Sequence, residues 1–282
     1  MKILILGSAG QIGNYLKDYF FEKKFEVIEF DKVNSNDQDL TLIPNLLLEE
    51  SIKKADFIFF LAFDVGGSRY LQKYQDTYEF INNNSRLMVN TFDYIKKFKK
   101  KFVFASSQMS NMSFSTYGVL KKLGELYTES LGGLIVKFWN VYGIENDMEK
   151  AHVITDFIRK GFEEGNFKML TNGLEERDFL YAEDCCKALE AVMNNYDKLS
   201  SIDPLHITSF EFVTIRKIAV IIEKLFKGIN KEIKITPSQS QDAVQKLTIN
   251  LPDKLILKYW NPTTSIDQGI SKVFNSMKKN YL

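Results

Sequence analysis

The chain has little with which to bind a metal or form a disulfide. Its two cysteines, Cys185 and Cys186, are neighbours in sequence. Disulfide geometry fits poorly between consecutive residues, so a reducing, cytoplasmic setting is the simplest expectation. Its two histidines, His152 and His206, are far apart and lack ligand-like spacing to the cysteines, so no metal is expected. Excess charge is missing too: 37 basic residues against 36 acidic ones leave a formal net charge of +1. Nothing in that balance attracts nucleic acid or an anionic membrane. The densest basic stretch, Lys96-Lys97 with Lys99-Lys100-Lys101, reads as a solvated helix end. Long apolar runs are also lacking. The run at the amino terminus stops at Gly7 and the one over 57–63 is strand-length, too short for a signal-peptide core or a membrane span. A soluble, untargeted protein is expected.

What is present is ordinary α/β material. The 282 residues are 45% hydrophobic and 26% charged, enough for one large core or two smaller ones. Residues 3–6 form a continuous apolar run ending in glycine, the pattern of a strand buried on both faces. A helical pattern follows over 11–23, then a strand over 25–30 that ends at Asp31. Further strands are predicted over 57–62, 102–105 and 134–138, with helices over 82–97 and 116–131 between them. This alternation predicts an α/β fold with a Rossmann-type doubly wound parallel sheet. Beyond about residue 140 the rhythm loosens. Helices over 153–164, 182–196 and 215–226 and short strands over 167–170, 205–208 and 233–235 predict a smaller mixed α/β lobe. The expected division is a dinucleotide-binding unit over 1–140, to which segments near 176–185 and 204–209 return, and a substrate lobe over 141–282.

Gly7-Ser8-Ala9-Gly10-Gln11-Ile12-Gly13 lies between the first predicted strand and helix. Glycine at 7, 10 and 13 permits a tight turn, close approach of backbone to a pyrophosphate, and close helix–strand packing. The helix amino terminus, with Gln11 and Ile12 in its first turn, offers unpaired N–H groups to the phosphates. Asp31, at the end of the second strand, can accept both ribose hydroxyls of the adenosine half and would repel a 2′-phosphate. NAD is favoured over NADP, with the adjacent Lys32 leaving the phosphorylated cofactor as an alternative. Asp39 and Leu40 are candidate adenine contacts.

Tyr117 and Lys121 are four residues apart on a predicted helix and share a face. Ser107 ends the preceding strand, where the active-site residues of such sheets gather. The arrangement suits hydride transfer. A tyrosine hydroxyl, normally titrating near 10, is pushed toward phenolate by the lysine ammonium and by the positive nicotinamide, and removes a hydroxyl proton as hydride leaves the same carbon. Serine would hydrogen-bond that oxygen, and lysine would also hold the nicotinamide ribose. A second pair of the same spacing, Tyr19 and Lys23, follows the glycine loop and reads as surface.

In order along the chain, the glycine loop, Leu61-Ala62, Phe104-Ala105-Ser106-Ser107, Tyr117-Gly118-Val119-Leu120-Lys121, Asn140-Val141-Tyr142-Gly143 and Arg177-Asp178-Phe179-Leu180-Tyr181-Ala182-Glu183-Asp184 resemble the extended short-chain dehydrogenase/reductase superfamily, specifically its NAD-dependent nucleotide-sugar epimerase/dehydratase family. Trp260-Asn261-Pro262 resembles the family's ending. The resemblance implies that Leu61, Ala62 and Asn84 line the cofactor. It also implies that Asn140 faces the substrate diphosphate and that Arg177 binds it, a planar fork suiting phosphate oxygens. Arg177 could instead form a structural salt bridge with Asp178 or Asp184. Asp178, Tyr181 and Asp184 are expected to brace the fold. A homodimer is implied, packed through the helices over 82–97 and 116–131.

Departures from the family narrow the chemistry. Phe60 stands before Leu61-Ala62 where histidine is usual, and the Ser107–Tyr117 segment is short. The usual later phosphate-contacting arginine is missing near Gln245-Lys246-Leu247, where Lys246 is the candidate substitute. Gln108 and Met109 follow Ser107. Relatives that dehydrate the sugar carry an Asp-Glu pair there, and GDP-fucose synthase-like enzymes carry a cysteine two positions after the serine. Cys185 and Cys186 read as small hydrophobes in a helix. What survives is reversible oxidation at carbon 4 of a nucleotide-activated sugar, as a 4-epimerase or a 4-dehydrogenase, in bacterial surface-polysaccharide synthesis. Val65-Gly66-Gly67-Ser68 resembles a glycine pair in GDP-sugar relatives. This makes Gly66 and Gly67 candidate substrate contacts and a GDP-hexose or GDP-heptose a candidate substrate, with UDP- and TDP-sugars open. The alternatives are a non-catalytic NAD(H)-binding regulator and a reductase of small non-sugar ketones.

Overall fold

A computed structural model describes residues 1–145, 147–199, 203–240 and 250–281. The first half runs β1 (Lys2–Leu6), α1 (Gln11–Glu22), β2 (Glu26–Phe30), α2 (Leu46–Lys54), β3 (Phe57–Phe60), α3 (Ser68–Tyr74), α4 (Tyr78–Phe98), β4 (Lys101–Ser107), α5 (Thr116–Ser130) and β5 (Leu134–Phe138). The second half runs β6 (Asn140–Tyr142), α6 (Val153–Glu163), β7 (Phe167–Lys168), β8 (Glu176–Tyr181), α7 (Ala182–Asn194), β9 (Leu205–Ile207), β10 (Phe212–Thr214), α8 (Ile215–Lys227), β11 (Ile235–Thr236) and α9 (Ile266–Lys278).

The main sheet has the order β2-β1-β3-β4-β5-β9, and every neighbouring pair in it is parallel. Its central strands are apolar throughout because side chains alternate between two buried faces. Ile3 and Ile5 pack toward α1 and α7, while Leu4 and Leu6 pack toward α2, α4 and α5. The carboxyl ends of β1 and β4, with β3 between them, therefore lie along the same end of the sheet, where the glycine loop and Ser107 sit.

The second half builds its own core around α6, α8 and α9 and a sheet ordered β10-β8-β6. The return to the main sheet is made by β9, which pairs with β5. The segment near 176–185 divides: β8 joins the second sheet, and α7 after it packs against α1. Helices α2, α3 and α9 carry no strong sequence signal. Asn45 caps α2, accepting from Leu48 N at 2.9 Å, and Ser265 with Gln268 forms a capping box at the start of α9. Gly269 resembles a helix breaker, yet a Cβ there would sit 1.9 Å from the Tyr142 hydroxyl. The glycine lets α9 rest on that ring. Among the described residues no helix is long and apolar enough to cross a membrane.

Candidate active site

The glycine loop is shaped by close approach. Gly7 has φ +89°, and a Cβ on it would lie 2.7 Å from Ala62 N, so the loop presses directly on the Leu61-Ala62 turn after β3. A Cβ on Gly13 would lie 2.0 Å from Gly7 O, which brings α1 hard against the loop. Gly10 caps α1 with no side-chain hydrogen bond, so the first-turn amides, including Gln11, Ile12 and Gly13, are offered to an anion. The Asp31 carboxylate accepts from Ala9 N at 3.1 Å and from Val33 N at 3.0 Å, which fixes it beside the loop. A bare helix start, a backbone cradle that tolerates no Cβ and an adjacent carboxylate fit a dinucleotide.

The neighbouring candidates are differently employed. The Gln11 amide links α1 to β6, with its nitrogen 3.3 Å from Val141 O and its oxygen 3.0 Å from Gly143 N. Asp39 closes its own turn by accepting from Thr41 N and Oγ1, both at 2.8 Å, and Leu40 is buried in the core. Asn84 is fully buried. Its Oδ1 accepts from Asp64 N at 2.8 Å, and its Nδ2 donates to Asp64 O and Phe80 O. The Asn84 amide thus holds the turn at 61–64, and its expected line to the cofactor runs through that turn.

Ser107, Tyr117 and Lys121 come together. Ser107 ends β4, and its Oγ accepts from Met109 N at 3.1 Å. Ser115 caps α5, accepting from Gly118 N at 3.1 Å, which starts the helix so that Tyr117 and Lys121 both face inward. A Cβ on Gly118 would lie 2.1 Å from Met109 O, so this glycine seats α5 on the turn at 108–111. The Lys121 ammonium donates to Ala105 O at 2.6 Å. All three side chains are buried. Burial pushes the Tyr117 hydroxyl up to about 12, opposed by a hydrogen bond from Ser107. It pulls Lys121 down to about 7, opposed by the charge of Glu125.

Two participants were missed from sequence. Phe63 stands edge-on to the Tyr117 ring with centroids 5.7 Å apart, and the Lys121 ammonium lies 3.8 Å from its centre. Glu125 is fully buried behind Lys121; its place four residues further along the Tyr117–Lys121 face was the available signal.

A cavity of about 360 Å³ is lined by Asn140, Arg177, Arg69, His152, Lys160 and Lys168 among others, and Ser107, Tyr117 and Lys121 are not in its lining. Asn140 Nδ2 donates to Asp178 O at 2.9 Å, and Arg177 Nη1 donates to Glu176 O at 2.6 Å. Asp178 accepts from Ser209 N and Oγ, and Asp184 from Thr263, Thr264 and Lys187, as expected of braces. Gly66 and Gly67 serve a packing need: Cβ atoms there would lie 3.0 Å from Lys150 Cα and 2.7 Å from Ala151 O respectively. Lys246 lies outside the described residues. Cys185 and Cys186 are free and buried, their thiols pushed up by that burial.

The sequence matches the model of the "NAD dependent epimerase/dehydratase family" over residues 3–206. This chain belongs to the NAD-dependent epimerase/dehydratase family. It is 25% identical to a UDP-glucuronate 4-epimerase of Thermodesulfobacterium geofontis, covering 98% of this chain and 96% of that protein. It is 28% identical to a GDP-L-fucose synthase of Sinorhizobium fredii, but over 56% of this chain and about half, 52%, of that relative. Its fold is similar to that of a UDP-glucuronic acid 4-epimerase of Bacillus cereus solved with UDP-glucuronic acid and NAD. The TM-score is 0.81 at 20% identity, with both chains covered fully. The cofactor of the family is NAD, and the glycine loop and Asp31 are the residues that fit it.

Proposed function

We propose that this enzyme is a 4-epimerase of a nucleoside-diphosphate sugar, oxidising carbon 4 and returning hydrogen to the other face of the ketone. The observation that carries this reading is the joint burial of Ser107, Tyr117 and Lys121 at the end of β4, with no further acid, base or thiol at Gln108 and Met109. Bound NAD supplies hydride acceptance and return. Tyr117 takes the proton of the 4-hydroxyl and gives it back. Ser107 hydrogen-bonds that oxygen, so the proton moves along a set line. With NAD bound, Lys121 would hold the nicotinamide ribose, and its positive charge would favour the Tyr117 phenolate. Asn140 and Arg177, with Lys168 across the cavity, offset the charge of the diphosphate, while Arg69 and Lys160 pair with Asp156 in the same wall.

A 4-dehydrogenase would use the same residues and differ in exchanging the reduced cofactor. Among the full-length relatives the named substrate is a UDP-sugar, whereas the GDP-sugar relative matches over part of the chain; UDP-hexoses are therefore the first to try. Ile81 and Val89 on α4 and Val119, Leu123 and Leu126 on α5 are exposed. A second copy of the chain would cover them, giving the homodimer that sedimentation should detect. The functional test is incubation with UDP-, GDP- and TDP-hexoses, followed by proton NMR of the sugar. One of them is expected to interconvert with its 4-epimer. If no sugar is isomerised or changes the absorbance of bound NAD(H), the reading fails in favour of a non-catalytic NAD(H)-binding protein.

A further inference from the structure

Behind the triad lies a buried ionic cluster that the mechanism above does not use. The Glu125 carboxylate accepts from Ser106 Oγ at 2.6 Å and pairs with Lys137 of β5 at 3.2 Å and with Lys122 at 2.9 Å. Glu125 has no solvent exposure and Lys137 is 5% exposed. Lys137 also donates to Asn111 Oδ1 at 3.0 Å, on the turn that follows Ser107. Burying such a pair forfeits the hydration of both ions, and a pair of apolar residues could fill the same space. Its retention calls for a use.

The connections supply one. Ser106 precedes Ser107 on β4, Asn111 lies on the turn at 108–111, and Glu125 is one helical turn beyond Lys121 on α5. One carboxylate with its partner lysine thus joins β4, which carries Ser107, and the turn after it to α5, which carries Tyr117 and Lys121. We propose that Glu125 is a positioning residue, locking β4 and its turn to α5 through Ser106 and Lys137 and acting as the buried counter-charge to the Lys121 ammonium. This rests on the reading of Lys121 as part of the site.

Among the described residues, the charge that acts on Lys121 against burial is the Glu125 carboxylate. Lys122 on the same helix and Lys137 of β5 pair with that carboxylate, and His206 of β9 is lowered to about 4 by burial and by the charge of Lys137. Removing the anion and removing the cation of the pair should therefore move Lys121 in opposite directions. Loss of packing alone has no sign, so opposite shifts report the charges, and the positioning role is read from kcat against KM.

The test is the titration of Lys121 in cofactor-free protein, followed by NMR with isotope-labelled lysine and assigned with Lys121→Arg. Glu125→Gln should lower its midpoint by about one unit or more, and Lys137→Gln should raise it. Glu125→Asp, which keeps the charge, should remain near wild type. An unchanged midpoint in either folded single variant, or a shift of the same sign in both, overturns the proposal. If Glu125→Gln does not fold, Lys137→Gln alone decides by whether its midpoint rises. No substrate is needed, so failure here is distinct from failure of the epimerase reading. In the turnover assay Glu125→Gln should lower kcat about tenfold with KM nearly unchanged.

Discussion

Two tyrosine–lysine pairs of identical spacing lie on helices of this chain, and only their surroundings differ. Tyr19 on α1 and Lys23 at its carboxyl cap converge on Glu190 of α7. The Tyr19 hydroxyl donates to that carboxylate at 2.5 Å, and the Lys23 ammonium binds it at 2.6 and 2.7 Å. The carboxylate and partial burial hold the Tyr19 hydroxyl proton more tightly, and Glu190 keeps Lys23 protonated. Tyr117 and Lys121 on α5 are buried, with Ser107 at the hydroxyl and a backbone carbonyl at the ammonium. There burial drives the lysine toward neutrality and holds the proton on the tyrosine, so desolvation sets the charge state of this pair, whereas a carboxylate partner shapes the other. Spacing creates a pair; desolvation and partners decide whether it can move a proton.

The sharpest way to break this comparison is to remove each hydroxyl. Tyr117→Phe should cut kcat by about a thousandfold or more while NAD stays bound, and Tyr19→Phe should leave kcat within about twofold. Full activity in Tyr117→Phe would remove Tyr117 from the role of base.

A second test uses stability. Lys121 has its pKa depressed in the folded chain, to about 7 from 10.5, so the unfolded chain binds more protons between these values and stability rises with pH across that window. Below about pH 7 the full penalty of burying the charge is present. Lys121→Met should therefore stabilise the protein by about 1–3 kcal/mol near neutral pH, with the gain shrinking toward pH 10, while abolishing turnover. Lys23→Met should show no such gain. Thermal unfolding of both variants from pH 6 to 10 checks this, and a Lys121→Met variant less stable at every pH would contradict it.

The smallest effect belongs to the partner that separates the two pairs. Glu190→Gln should cost about 1 kcal/mol or less, because Lys23 is largely exposed and screened. It should leave kcat unchanged. A loss of activity would mean that α1 and α7 communicate with the site more strongly than their packing suggests.

The readable parts of the sequence were those whose signal is local. The run over 3–6, the glycine loop and Asp31 are contiguous or nearly so, and each reflects a constraint felt within a few residues. The alternation of strands and helices through β5 was legible because buried parallel strands are apolar on both faces. The second half was harder. Gly269 hides α9, since the need for it comes from the Tyr142 ring over a hundred residues away. The segment near 176–185 is expected as one piece to return to the first unit, whereas β8 joins the second sheet and α7 packs on α1. The resemblance implies that Asn84 lines the cofactor; the hydrogen bonds of its amide to the Asp64 backbone are contacts that no spacing reveals. Gly66 and Gly67 likewise answer to the backbone of 150–151.

The sequence by itself determined that a strand, a glycine turn and a helix would form an anion cradle, and that Tyr117 and Lys121 would share a helical face. Those outcomes depend on backbone sterics and helical periodicity, which act over short distances. The tertiary structure decided which tyrosine–lysine pair lost its water, which carboxylate stood behind it, and which glycines were needed for packing. Desolvation and long-range contact arise only when distant segments exclude solvent together, so they became visible only once the sheets and helices were assembled.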